Sequence, residues 1–303
     1  MRSAVIHQYG DASVVRVEDV PTPQPGAGEV RIRVAGAAVN RTDLNLRDGL
    51  YGMPEPKPGE PGFTFGMDVS GVVDAVGTGV DDLKTGDAVV GFAGPPVTPA
   101  AQAEYVVLPA AAVTPAPASV PLVQAAALPL NGLTAAQALA QAGLAPGSTV
   151  VVTGAAGGLG VFLLQLSKQA GHRVVAWVKP GTDPDGLRLL GADQVITGAD
   201  DAAPASADAV FDAATLGQET VGLLNHGGAY VTFRGNTPDL PIRSRLVHIF
   251  VQNDGAVLQQ LVESVDSGDL RLSPVTEVPL DHVADAQRDF AGGGLRDRIV
   301  LVP

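Results

Sequence analysis

Residues 148–168 read STVVVTGAAGGLGVFLLQLSK, and the fold follows from this stretch. Residues 150–152 are a short β-branched run, the composition of a buried strand. A turn of small residues follows at once: Gly154, Ala155, Ala156, Gly157, Gly158, Leu159 and Gly160. Val161, Leu163, Leu164 and Leu166 then recur at helical spacing, which places Gln165 and Lys168 on the outer face. Strand, glycine turn and helix in that order suit the diphosphate of a dinucleotide. Gly157 lets the backbone come close to the phosphates, and Gly160 lets the helix pack on the strand. The free N–H groups at the helix start then face the anion. The pattern is A-x-G-x-x-G. Ala155 holds its first small position, where alanine costs more than glycine if the backbone needs a positive φ.

With 17% charged and 46% hydrophobic residues, the 303-residue chain specifies folded domains with a sizeable core. Its net charge of −13 argues against nucleic acid and anionic membrane as partners. A phosphate site must therefore be built locally, against the overall field. There is no cysteine, which excludes disulfides, thiol nucleophiles and thiolate–zinc sites. The opening MRSAVIHQYGD lacks the apolar core of a signal peptide. No apolar run approaches the ~18–20 residues of a membrane span, so a soluble, cytoplasmic protein is expected.

Before the turn, short strands separated by Gly/Pro clusters are expected over 3–8, 14–18, 29–38, 66–76, 88–92 and 103–108. They predict a small barrel-like β domain over residues 1–120. From Pro121 the periodicity changes. Helices are expected over 122–128 and 134–142. Strands at 149–152, 173–178, 194–196, 209–212 and 229–233 then alternate with helices after Gly160, around 187–190 and around 220–224. The class is α/β, with a parallel doubly wound sheet over 121–256. After a helix over 255–268, short strands at 275–278 and 299–302 flank a helix near 282–290. Residues 257–303 are expected to complete the first domain.

A carboxylate at the end of the second strand of such a sheet accepts the ribose hydroxyls of NAD and repels a 2′-phosphate. Here that strand end reads VAWVKPG over 175–181, with Lys179 where an acid would stand. This favours NADPH. Asp183 and Asp185 lie further into the loop and count against it.

Several motifs in order give the chain a family resemblance over nearly its whole length: VNRTDLNLRDGLY at 39–51, PGFTFGMDVSGVVDAVGTGV at 61–80, KTGDAVVG at 84–91, ALPLNGLTAAQAL at 127–139, GAAGGLG at 154–160, LLGAD at 189–193 and DRIVLVP at 297–303. It resembles a zinc-independent medium-chain dehydrogenase/reductase of the quinone oxidoreductase branch. The resemblance implies a GroES-like β-barrel domain plus a Rossmann doubly wound parallel sheet domain. In zinc-using relatives a Cys opens the motif that here begins at Asn40, and a His-Glu pair follows the glycine that here is Gly66. This chain has Asn40, Met67 and Asp68 at those places, so no metal is expected.

The resemblance also implies that Asn40 and Asp43 lie near the nicotinamide end of the cleft, with Thr134 near the nicotinamide amide. It makes Tyr51 a candidate to steer the substrate or to protonate an enolate. Asn and Asp equally close turns and cap helices, and Tyr51 equally reads as a half-buried loop aromatic. Asp212, Phe233 and Arg234 end strands at the edge where open sheets bind ligands, and join the cofactor candidates. The implied function is hydride transfer from NADPH to a quinone or an α,β-unsaturated carbonyl, whose conjugated system spreads the developing charge. Alternatives on the same scaffold are an enoyl reductase of a secondary-metabolite pathway and a redox-inactive NADP(H)-binding sensor. A homodimer is implied, with residues 230–233 and 248–252 as its surface.

Overall fold

The structure, a computed structural model, describes residues 1–94, 100–233, 237–295 and 297–303. Two compact units emerge, Met1–Leu130 with Asn253–Pro303, and Asn131–Gln252. Unit 1 begins with β1 (Arg2–Ile6), β2 (Arg16–Asp19), β3 (Glu29–Ala38), α1 (Arg41–Arg47), β4 (Phe63–Thr64), β5 (Asp68–Val76), β6 (Ala88–Phe92), β7 (Tyr105–Pro109), β8 (Val113–Pro115) and α2 (Leu122–Ala125). The boundary falls in the first turn of α3 (Pro129–Ala142). Unit 2 continues with β9 (Thr149–Thr153), α4 (Gly160–Gln169), β10 (Arg173–Trp177), α5 (Pro184–Leu189), β11 (Gln194–Ile196), β12 (Ala207–Asp212), α6 (Gln218–Val221), β13 (Leu224–Thr232) and β14 (Arg245–His248). The chain then returns to unit 1 with α7 (Gly255–Ser267), β15 (Val275–Pro279), α8 (Val283–Gly292) and β16 (Arg298–Val302). The first boundary lies beyond 120 because α2 packs on β3, β5 and β16 and so belongs to unit 1.

Unit 1 is organised on β3, whose Val30, Ile32 and Val34 alternate into a core shared with Val69 and Val73 of β5 and Val106 and Leu108 of β7. Arg31 and Arg33 face outward from the same strand. Each buried aliphatic side chain contributes roughly 1.5–3 kcal/mol relative to exposure. The strands pair as two open sheets, β2-β1-β4 and β15-β16-β3-β5-β6-β8 with β7 also on β3. Among the described residues no pairing closes them into a ring. The C-terminal segment joins this unit, β16 pairing antiparallel with β3 through Val300↔Ala38 and Leu301↔Ala37.

Unit 2 is a six-stranded sheet in the order β11-β10-β9-β12-β13-β14, with every pairing parallel. Numbered from β9, that is the doubly wound order 3-2-1-4-5-6. The central strand β9 is buried from Val150 to Thr153, as a strand covered on both faces must be. Three local expectations need correction. The helix expected around 220–224 ends at Val221, and Leu224 already opens β13. Gln165 is buried and donates to the Val161 carbonyl at 3.0 Å, because α4 is covered nearly all round. Tyr230 is fully buried between β12 and β14, and the sheet edge expected at 230–233 belongs to β14. Among the described residues, no helix is long and apolar enough to cross a membrane.

Gly154 takes the left-handed position of the turn with φ +61°, so Ala155 escapes the feared strain and packs fully buried. A Cβ at Gly160 would lie 2.1 Å from the Gly154 carbonyl oxygen and 2.7 Å from Ala155 Cα. Helix α4 is therefore seated directly on backbone. Gly160→Ala is expected to destabilise the protein by about 1–3 kcal/mol in urea unfolding. Gly222→Ala, at φ −62° with nothing within 4 Å of the added carbon, is expected to be neutral or stabilising by up to about 1 kcal/mol.

Candidate functional site

β9 delivers its turn at the carboxyl end of the sheet's middle, where open α/β sheets bind ligands. Ala155 N–H donates to the Trp177 carbonyl at 3.4 Å, and Gly157 N–H closes the turn on the Gly154 carbonyl at 2.8 Å. The N–H groups of Ala156, Gly158 and Leu159 meet no acceptor among the described residues. Ala156 and Gly157 are exposed. α4 starts at Gly160 behind Leu159, with no side-chain cap. Unpaired N–H groups at an uncapped helix start form a fitting cradle for an anion.

Asp212, at the end of β12, is buried and spends its carboxylate on the chain itself. Oδ1 accepts from Thr153 Oγ1 at 2.7 Å and Leu216 N–H at 3.0 Å. Oδ2 accepts from Gly217 N–H at 2.9 Å and Tyr230 Oη at 2.6 Å. Its side chain thus shapes the loop after β12 and does not stand open to a ligand. Phe233 follows β13 half-buried, and Thr134 is buried in α3. Arg234 lies outside the described residues.

Lys179 follows β10, exposed, and its ammonium has no ion-pair partner among the described residues. Its carbonyl accepts from Thr182 N–H at 3.2 Å and Thr182 Oγ1 at 2.8 Å, which fixes the loop. The two acids that counted against NADPH are committed elsewhere. Asp183 caps α5, accepting from Asp185 N–H at 3.0 Å and Gly186 N–H at 3.3 Å. Asp185 pairs with Arg188 at 2.7 Å.

The residues from 40 to 68 meet in a buried polar cluster of unit 1. Asn40 Nδ2 donates to Asp68 Oδ2 at 2.6 Å, and Asn40 Oδ1 accepts from Arg298 Nη2 at 2.6 Å. Asp68 Oδ1 accepts Leu130 N–H at 2.6 Å. Asp43 Oδ2 accepts Asn40 N–H at 2.7 Å, the reciprocal bond of a capping box at the start of α1, and Gln102 Nε2 at 3.0 Å. Its Oδ1 accepts Gly66 N–H at 3.2 Å. Burial is the main cause pushing the Asp43 carboxyl up to about 7, with the Asp68 charge adding to it and the N–H donors and Arg298 opposing. Burial likewise raises Asp68 to about 6, against the Leu130 N–H, the Asn40 amide and Arg298. Tyr51 stands apart, 37% exposed, its hydroxyl 3.5 Å from the Thr42 carbonyl. Partial burial and then the Asp43 charge raise its pKa.

Residues 26–118 match the alcohol dehydrogenase GroES-like domain, and residues 190–301 match a family described as zinc-binding dehydrogenase. The chain is 31% identical to the 2-methylene-furan-3-one reductase of Solanum lycopersicum over 97% of its own length and 77% of that protein. It is 30% identical to the chloroplastic NADPH-dependent alkenal/one oxidoreductase of Arabidopsis thaliana, over 100% of this chain and 80% of the relative. The chain belongs to the medium-chain dehydrogenase/reductase family. Its structure matches the quinone oxidoreductase from Coxiella burnetii with a TM-score of 0.88 at 27% identity, covering 100% of this chain and 99% of that one.

The zinc in one family description finds no suitable donor set here. Cysteine is absent, and among the described residues no three His, Asp or Glu side chains are grouped to hold a metal. Asn40 and Asp68 are instead bonded to each other, and Asn40 to the Arg298 guanidinium. The structure thus brings the expected Asn40 and Asp43 together but buries them to 3% and 2% exposure. It adds three partners that the sequence reading did not weigh as site residues: Asp68, Gln102 and Arg298. Asp68 was visible as a motif position, whereas no sequence spacing joins residue 298 to residue 40.

The raised carboxyls fix a pH dependence. Asp43 and Asp68 hold protons in the folded state that the unfolded chain releases near pH 4, so stability falls as pH rises from about 4 through 6 and 7. Asp43→Asn is expected to shrink the loss of unfolding free energy between pH 5 and pH 8 by on the order of 1–3 kcal/mol, measured by urea titration at each pH.

Proposed function

We propose that the chain is an NADPH-dependent reductase that passes hydride to a quinone or an α,β-unsaturated carbonyl without using zinc. The observation that carries this reading is the uncapped glycine turn at the end of β9, open to an anion, with a lysine just after the adjacent strand β10 that has no ion-pair partner among the described residues. The names of the Arabidopsis and Coxiella proteins support the cofactor and the two acceptor classes.

In this reading the turn N–H groups of Ala156, Gly158 and Leu159 bind the diphosphate, and α4 lends the positive end of its dipole. Lys179 binds the 2′-phosphate, and Asp183, the next acid along the chain, is committed to capping α5. NADPH supplies a hydride. A conjugated acceptor spreads the resulting charge, so a few fixed donors suffice where a Lewis acid is lacking. Asn40 and Asp43 act as supports, since their polar atoms are bonded within the buried cluster. Tyr51 is the accessible hydroxyl on this stretch and protonates the enolate. A homodimer is supported by the edge strand β14, which carries no outer partner among the described residues and is flanked by Ile242 and Phe250, each 78% exposed.

Nicotinamide absorbance with a naphthoquinone and with a simple enone, run in parallel with NADPH and NADH, tests the reading. Oxidation of NADPH is expected to dominate, and Lys179→Glu is expected to cut the NADPH-to-NADH preference at least tenfold. An unchanged ratio removes Lys179 from the site. Tyr51→Phe is expected to lower kcat with the enone by about tenfold or more, with little change in the KM for NADPH.

A further inference from the structure

We infer that Tyr230 is a positioning residue for dinucleotide binding, holding the ligand-facing loops of β9 and β12 in shape through Asp212 and Thr153. The inference rests on the dinucleotide reading above. Sequence placed Tyr230 on a subunit surface, but its ring is fully buried in the core of unit 2 and its hydroxyl ends on a carboxylate. The 2.6 Å bond to Asp212 Oδ2 is short for a neutral pair and typical of a charge-assisted one. Burial and the Asp212 bond both raise the phenol's pKa, so it remains the donor.

From Asp212 the network runs to both loops. Leu216 N–H and Gly217 N–H donate to its two oxygens, which draws the loop after β12 back over the strand end. Thr153, the last residue of β9, donates its hydroxyl to Asp212 and accepts Ala214 N–H at 2.9 Å. Ala214 in turn abuts the glycine turn: a Cβ at Gly154 would lie 3.2 Å from the Ala214 Cβ. The loop also holds Thr215 at φ +60°, a left-handed conformation that a β-branched residue keeps only when its surroundings over-determine it. Asp212 supplies that over-determination, and Tyr230 fixes Asp212 from beneath. With the hydroxyl gone, the loop loses its fixed register and binding must supply the missing order.

The test is a fluorescence titration of NADPH with the full chain. Tyr230→Phe keeps the ring packed and removes the hydroxyl, with its 2.6 Å bond to Asp212 and its longer contacts to the Gly217 carbonyl at 3.4 Å and Thr220 Oγ1 at 3.5 Å. Its Kd for NADPH is expected to rise about tenfold, with the loss in KM for NADPH and not in kcat. Thr153→Val is expected to repeat this, and Thr153→Ser to restore affinity. If folded Tyr230→Phe binds NADPH as tightly as the wild type, the inference is overturned and the dinucleotide reading stands. If Tyr230→Phe fails to fold, Thr153→Val decides, and unchanged affinity there overturns the inference. A wild type that binds no NADPH overturns both.

Discussion

The seating of Gly160 on the backbone of Gly154 and Ala155 is the constraint on which unit 2 depends. With no side chain at 160, α4 begins in direct contact with the end of β9. That proximity fixes where the first turn of the helix points, and with it the direction of the unpaired N–H groups. The chain carries a net charge of −13, so no general field gathers an anion to this place. The attraction has to come from backbone dipoles a few ångströms away. The uncapped start of α4 is consistent with that need, since a capping carboxylate there would occupy the cradle itself.

Unit 1 solves a different electrostatic problem. Asp43 and Asp68 are both buried, with the Arg298 guanidinium as the neighbouring cation and Asn40 between Arg298 and Asp68. Burying such groups is costly unless each lone pair is met. Among the described residues, five donors serve the two carboxylates: Asn40 through its backbone and its amide, Gly66, Gln102 and Leu130. The cluster links α1, β5 and β16, elements distant in the chain. It is therefore a support first. Whatever chemistry occurs nearby inherits its rigidity and its sensitivity to protons.

Much of this could be read from the sequence, for reasons that differ by element. β3, β6 and β11 are legible to the residue because their apolar alternation or run is bounded by clear turn residues. The glycine turn was legible because its chemistry is local: strand, turn and helix are consecutive. β14 was missed because RLVH is short and mixed, and only its pairing with β13 makes it a strand. The helix expected at 220–224 was cut short because Leu224 is claimed by the sheet, a tertiary preference that outweighs local periodicity. The partners of Asn40 and of Asp212 were illegible for a related reason. Arg298 and Tyr230 reach them across pairings that join distant segments, and no spacing rule carries that information.

The pairing of β16 with β3 also bears on how the molecule is made. A nascent chain emerges from its amino end, so Ala37 and Ala38 at the end of β3 are made long before Val300 and Leu301 exist to pair with them. Residues 131–252, by contrast, form one uninterrupted segment that can collapse as soon as it leaves the ribosome. The nucleotide unit is thus free to mature first. The earlier-made unit waits with Ala37 and Ala38 at the end of β3 unpaired, and without the Arg298 guanidinium beside its two carboxylates, until the last strand is made.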